Sequence, residues 1–370
     1  MTAYRGLTWD HPRGRRALEQ TAEQWRARGV DITWDAQPLE GFEGHPIDDL
    51  AARYDLIVLD HPHLGDAVAS GSLQPLGHLL TGEQFIGPSI DSYTLHDEVW
   101  ALPLDAATQV SARDAARVDT APRTWDDVAD LARGGGVALS LAGPHALLSL
   151  FSVASALGRA PRDVPGLPWL DHDVVAEAFE VLAKVHRSTE PDTEELNPIA
   201  MLARIADRSD PLSYVPLVYG YVTFSGGSAP VSFGDAPRMT AHGVPGSIIG
   251  GTGVAVSART AIDAPLAGYL RWLISDDTQR RIIPVRSGQP ASRAAWTDPL
   301  VDAAASGFYS RTIATIEHSS VRPRAVGFPA AQHRASAAVR DALAGRTSVE
   351  TLQERLRSES HVVDIERTPS

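Results

Sequence analysis

The sequence predicts an α/β protein of two lobes, each a mainly parallel sheet flanked by helices, joined by a hinge of crossing strands. Three observations carry that expectation. At 370 residues the chain is too long for one compact core and suits two of ordinary size. Its first third alternates apolar strands with amphipathic helices, the pattern of a parallel sheet with right-handed crossovers. A second strand–helix unit fills the middle, beyond the extended segment VWALPLDAATQV at 99–110.

The elements follow in order. Residues 5–9 read as a short first strand. Over 15–28, Leu18, Ala22 and Trp25 fall at i, i+4 and i+7, one helical face. Gly29 closes that helix, since a glycine tolerates the left-handed conformation of a C-cap. Residues 30–34 form a second strand, 47–53 a short helix, and 55–59 (DLIVL) an apolar run typical of a buried parallel strand. In the middle unit, Thr124 opens a capping box with Asp127, and the helix runs to Gly134. Residues 137–141 read as a strand and 145–158 as a helix. Over 171–187, Val174, Ala178, Val181 and Val185 share a face. Asn197-Pro198 is an N-cap followed by proline at the first helical position. Residues 212–257, rich in Gly, Pro, Tyr and β-branched types, read as strands and loops. From 261 onward helix follows helix, with Leu266, Leu270 and Leu273 on one stripe.

Composition narrows the function. The net charge is −13 with no basic block, which argues against nucleic acid and anionic membrane surfaces as partners. There is no cysteine, so disulfides, thiolate metal sites and cysteine nucleophiles are excluded. Lys184, the sole lysine, sits on a solvated helical face. The GxGxxG, Walker, GxSxG and HExxH motifs are absent, and no cofactor is expected. No stretch approaches the roughly 20 apolar residues that span a bilayer, so membrane insertion is not expected. The start lacks a basic region followed by about 7–15 apolar residues, the mark of an export signal, so the expected location is cytoplasmic, or periplasmic if a signal was trimmed.

Several segments, in order, resemble one family. They are the first strand ending in Trp9-Asp10, YDLIVLD at 54–60, GSLQPL at 71–76, VWALPLDAATQV at 99–110 and TWDDVADLA at 124–132. GGTGVAVSA at 250–258, YLRWLISDDTQRRI at 269–282 and SGQPASR at 287–293 follow. Together they resemble the extracellular, periplasmic-type solute-binding proteins of family 1, the maltose-binding-protein-like substrate-binding fold of ABC transporters, here without a signal peptide. The resemblance implies a two-lobed periplasmic-binding-protein-like fold of type II. It implies an N-terminal lobe of 1–106 plus 254–308 and a C-terminal lobe of 107–253 plus 309–370. It also implies a small-molecule ligand between lobes that close by a hinge motion, a monomer, and an ABC permease as partner if an export signal lies upstream.

Ligands of α/β sheets meet the carboxyl ends of the strands. There the sequence places Trp9-Asp10-His11-Pro12 and Asp60-His61-Pro62-His63, an Asp-His-Pro motif twice over. In a sheet of order second, first, third strand, the two edges are neighbours about 4.8 Å apart. Three readings stand side by side. The side chains make polar ligand contacts, with the aspartates capping loops and the prolines stiffening turns. Alternatively Asp10, His11, Asp60 and His61 act as general acid and base in a cytoplasmic lyase, isomerase or hydrolase recruited from the binding fold. The histidines with a carboxylate are also chemically able to hold zinc, although no helix-borne histidine pair supports that and no metal is expected.

Further candidates are Asp105 and Gln109 in the crossing segment, as ligand contacts or hinge solvation. Tyr219 and Tyr221 alternate as if sharing one strand face, as a stacking platform or core. His145 stands at a helix start, after Gly143-Pro144, where free N–H groups favour an anion. Gly250 and Gly251 allow close backbone approach. Gln289 and Arg286 lie in a capping loop, and Arg322-Pro323-Arg324 offers a carboxylate partner or a surface cation. The expected function is binding of a small polar solute, a sugar derivative or an organic acid, with the recruited enzyme as the alternative.

Overall fold

The computed structural model describes residues 2–38, 46–190, 192–227 and 230–365. The chain divides into two compact units. The first comprises Met1–Ala106, Gly250–Ala303 and Arg324–Val326, and the second Ala107–Ile249, Ala304–Pro323 and Gly327–Ser370. Nine strands are described: β1 Thr2–Trp9, β2 Val30–Gln37, β3 Leu56–Leu59, β4 Thr94–Leu95, β5 Glu98–Val99, β6 Leu102–Arg113, β7 Tyr214–Tyr219, β8 Ser232–Gly234 and β9 Ile249–Val256.

In the first unit the strand order is β2-β1-β3-β9. β1 runs parallel to β2, from Thr2↔Val30 to Trp9↔Gln37, and parallel to β3 through Gly6↔Leu56 and Leu7↔Ile57. β9 closes this part of the sheet antiparallel to β3, with Leu59 opposite Gly253. All four residues of β3 are buried, as its unbroken apolar sequence requires of a strand covered on both faces. One face packs Leu7, Ile57 and Leu59 on Ile47, Leu50, Leu64 and Leu73. On the helix Pro12–Arg26, the predicted stripe of Leu18, Ala22 and Trp25 is buried. Trp25 meets Tyr269 edge-on, with ring centroids 5.7 Å apart. Tyr269 belongs to the helix Ala264–Ile274, whose Leu266, Leu270 and Leu273 are all buried.

In the second unit β6 pairs antiparallel with β7 and with β8, with a bulge between Val110 and Ala112. Its core is the helix His145–Ala156, every residue of which is buried. The helices His172–His186 and Phe328–Leu343 belong to the same unit. Thr124 and Asp127 form the expected capping box on the helix Trp125–Ala132, and Asn197 caps Pro198–Ala206 through the Ala200 N–H. On His172–His186 the buried face is Val174, Ala178, Leu182 and Val185, with Leu182 replacing Val181.

The expected strand at 137–141 does not form. Only one parallel bridge, Val137↔Tyr214, is made there. The following carbonyls are taken by side chains instead of a ladder: Ser149 Oγ donates to Ser140 O at 3.1 Å, and Arg340 Nη1 to Leu141 O at 2.9 Å. Among the described residues no helix is long and apolar enough to cross a membrane.

Candidate functional site

β1 and β3 are adjacent and parallel, so their carboxyl ends lie at one edge of the sheet. The first turn built there is dense. Thr8 Oγ1 donates to Gly14 O at 2.8 Å. His11 is the N-cap of the helix Pro12–Arg26, its Nδ1 accepting from the Arg13 N–H at 3.1 Å. That acceptor role requires Nδ1 to be unprotonated, so the neutral ring carries its proton on Nε2. Trp9 is buried and stacks on His11, with centroids 5.0 Å apart and planes 5° from parallel. Gly14 makes room for this: a Cβ there would lie 2.3 Å from the Trp9 indole nitrogen.

Arg13 is the residue the sequence reading missed. Its guanidinium forms a two-pronged pair with Asp105, Nε to Oδ2 at 2.7 Å and Nη2 to Oδ1. The two side chains are only 4% and 7% exposed, so both charges are desolvated and neutralise each other. Removing one partner would strand the other charge, at a cost of about 3–5 kcal/mol. A signal was present in the sequence. The first turn of this helix holds no acid and carries a cation directly after Pro12, against the preference of a helix N-terminus for negative charge. Burial, and then the Arg13 and Arg16 guanidiniums, lower the His11 imidazole to about 4, with Asp10 opposing.

The remaining first-unit candidates differ in access. Asp10 is exposed and pairs with Arg15 at 2.6 Å. Asp60 is partly exposed and caps the 3-10 turn His61–His63, its Oδ1 accepting from the His61 N–H at 2.9 Å. His61 is fully buried, its ring edge-on to Tyr93 at 6.2 Å and its Nδ1 3.1 Å from the same Asp60 oxygen. His63 is buried as well. The structure therefore does not bring four accessible Asp and His side chains together. It offers Asp10, Asp60 and the edge of His11, while His61 and His63 pack inward. Among the described residues no three His, Asp or Glu side chains gather as metal ligands.

Gly251 has φ +106°, and a Cβ there would lie 2.2 Å from the Asp105 carbonyl oxygen. Its close approach is thus to the protein's own backbone. Gly250 begins the first unit's share of β9. Gln289 is fully buried and donates to Ala106 O at 2.7 Å, while its own carbonyl accepts from the Ala106 N–H. Arg286 donates to Gln20 Oε1.

In the second unit Gln109 is not solvated but fully buried. Ser152 Oγ donates to its Oε1 at 2.7 Å, and Ser247 Oγ to its carbonyl at 2.6 Å. Tyr219 and Tyr221 do not share a strand face. β7 ends at Tyr219, and Tyr221 is the buried residue before the 3-10 turn Val222–Phe224. Between them Gly220 lies so close to the Phe308 ring that a Cβ would come within 2.9 Å of it. Tyr219 instead meets His145 edge-on at 5.7 Å.

The expected anion site before His145 is filled from within. The His145 and Leu148 N–H groups bond to Ala142 O and Pro144 O, and Leu147 N–H to Ser336 Oγ. Arg322 is buried near Gln332 rather than on the surface, and Arg324 donates to the carbonyls of Asp91 and Thr94. Lys184 is exposed, paired with Asp126 at 2.7 Å.

This is the architecture of the two-lobed, maltose-binding type of solute-binding protein. Maltose-bound MalE3 of T. maritima matches with a TM-score of 0.78 at 14% identity, over 98% of this chain and 99% of that one. The GacH receptor of Streptomyces glaucescens, solved unliganded and with acarbose, matches equally well at 0.78 and 14%, over 99% of each chain. An ABC transporter solute-binding protein from Agrobacterium radiobacter K84, in complex with ribitol, matches at 0.75 and 16%, over 98% of each. No family model matches the chain, and no curated protein matches its sequence.

Proposed function

We propose that the protein binds a small, neutral, hydroxyl-rich solute, a sugar or a polyol. The observation that carries this is the likeness in fold, over nearly the whole chain, to structures solved with maltose, acarbose and ribitol. The first unit's chemistry supports it. The accessible groups at the ends of β1 and β3 include the carboxylates of Asp10 and Asp60, which accept hydrogen bonds from hydroxyls. The buried cation there, Arg13, is already satisfied by Asp105, which leaves an organic acid without that countercharge. A free acid would also meet Asp60, and like charges disfavour it. Handing the solute to an ABC permease is the transport step this reading carries for an exported chain, with the binding protein acting as a monomer.

The acid–base alternative has less support. His61 is enclosed, and His11 uses Nδ1 as a helix cap.

Titration calorimetry with maltose, acarbose and ribitol, and citrate as the acidic comparison, tests the proposal. At least one neutral compound should bind, and Asp10→Asn with Asp60→Asn should weaken it. The bound compound should be recovered chemically unchanged after prolonged incubation. Binding of citrate alone, or conversion of the compound, would overturn it.

A further inference from the structure

The first turn after β1 is over-determined in a way that ligand contact alone does not require. Trp9 is clamped between the bare backbone of Gly14 and the plane of His11. The Arg13 guanidinium carbon lies 5.9 Å from the centre of the Trp9 ring. Arg13 is in turn held by Asp105, a residue of β6 and 92 positions away. A chain of contacts thus runs Asp105, Arg13, Trp9, His11, from an ion pair buried in the first unit to a partly exposed imidazole at the strand edge.

We propose that Arg13 is a positioning residue: locked by Asp105, its guanidinium holds the Trp9–His11 stack at the end of β1 and so fixes the orientation of the His11 imidazole toward a solute. This rests on the reading of that edge as part of a binding site, although the local claim is testable without a ligand. A planar fork is needed for the task. Lysine carries the same charge, but it is a point charge that cannot grip a carboxylate at two points.

The charged groups that shift the His11 imidazole include Arg13, Arg16 and Asp10. Its titration therefore reports the Arg13 charge, while the Trp9 resonance reports whether the planar fork holds the stack. The experiment uses the full chain, with imidazole resonances followed by NMR and Trp9 followed as 5-fluorotryptophan. The Trp9 signal is assigned by its loss in Trp9→Phe.

In Arg13→Met the His11 midpoint should rise by about one pH unit as a neighbouring cation is lost, and the Trp9 fluorine resonance should shift. Arg13→Lys should restore most of the midpoint but not the Trp9 resonance. Asp105→Asn should move the midpoint the opposite way, because Arg13 is then uncompensated. That variant also decides the matter if Arg13→Met does not fold. Arg26→Met, on the same helix and paired with Asp31 near its far end, should change neither signal.

A folded Arg13→Met with an unmoved His11 titration and Trp9 resonance overturns the proposal, as does an upward shift in Asp105→Asn. Calorimetry with maltose and ribitol should show roughly tenfold weaker binding in Arg13→Met for whichever compound binds the unaltered protein, on the scale of a lost positioning contact. If neither binds, the sugar reading fails while the titration still decides the role of Arg13.

Discussion

At the scale of single residues, His11 has consequences for stability. Its folded imidazole titrates near 4, below the ordinary value of 6.5. Between those values the unfolded chain takes up a proton that the folded chain refuses, so stability falls as pH drops from about 6.5 to about 4 and levels off below. The full shift overstates the effect for a half-buried ring, and a loss on the order of 1 kcal/mol is expected once solvent screening is allowed for. His11→Asn keeps a capping acceptor and removes the titration. Urea unfolding at pH 4, 5, 6 and 7 should show that part of the slope disappearing in the variant. An unchanged slope would assign it to other groups. Gly251 makes a second case. Alanine there meets both a left-handed φ and the Asp105 carbonyl, so Gly251→Ala should cost more than about 2 kcal/mol by the same measurement. The Asp-His-Pro pairs were legible in the sequence because strand order alone places them at one edge. Their division into accessible and enclosed was not. It depends on packing from elsewhere in the chain, such as Tyr93 standing edge-on to the buried His61 ring. For Arg13 the sequence carried a local hint, a cation in an acid-free first turn, but nothing local reveals its partner Asp105 in β6.

Elements were easier to read wherever a local rule sets them. The capping box at Thr124 and the Asn197-Pro198 start are enforced by bonds within four residues, and both form as expected. The segment 137–141 looked like a strand because it is short and apolar, but apolar character specifies burial and not a ladder partner. The helix His145–Ala156 shows the converse. Its sequence is helical, yet burial on all sides is a property of the unit around it. Two substitutions separate these effects by thermal or urea unfolding. Thr124→Ala removes a cap at an exposed helix start and should cost about 1 kcal/mol. Phe151→Ala empties a fully buried ring site facing Trp169, with centroids 6.0 Å apart, and should cost about 3–5 kcal/mol. A loss from Phe151→Ala no larger than that from Thr124→Ala would mean that burial around His145–Ala156 contributes no more than one exposed cap on Trp125–Ala132.

For the whole molecule, the net charge of −13 bears on the class of solute. A field of that sign lowers the local concentration of anions and slows their approach, and salt screens it over about 10 Å at 0.1 M. An organic acid would therefore bind better as salt rises and the repulsion is screened. It would bind worse only if an uncompensated cation received it, and the buried cation at the strand edge, Arg13, is already neutralised. A neutral sugar or polyol feels neither effect. Its affinity should stay within about twofold between roughly 10 mM and 0.5 M sodium chloride, a range over which the Debye length falls from about 30 Å to a few ångströms. Calorimetry with maltose or ribitol across that range measures this directly. A steep dependence in either direction would mean that a charged solute, and not a hydroxyl-rich one, is the compound these strand ends receive.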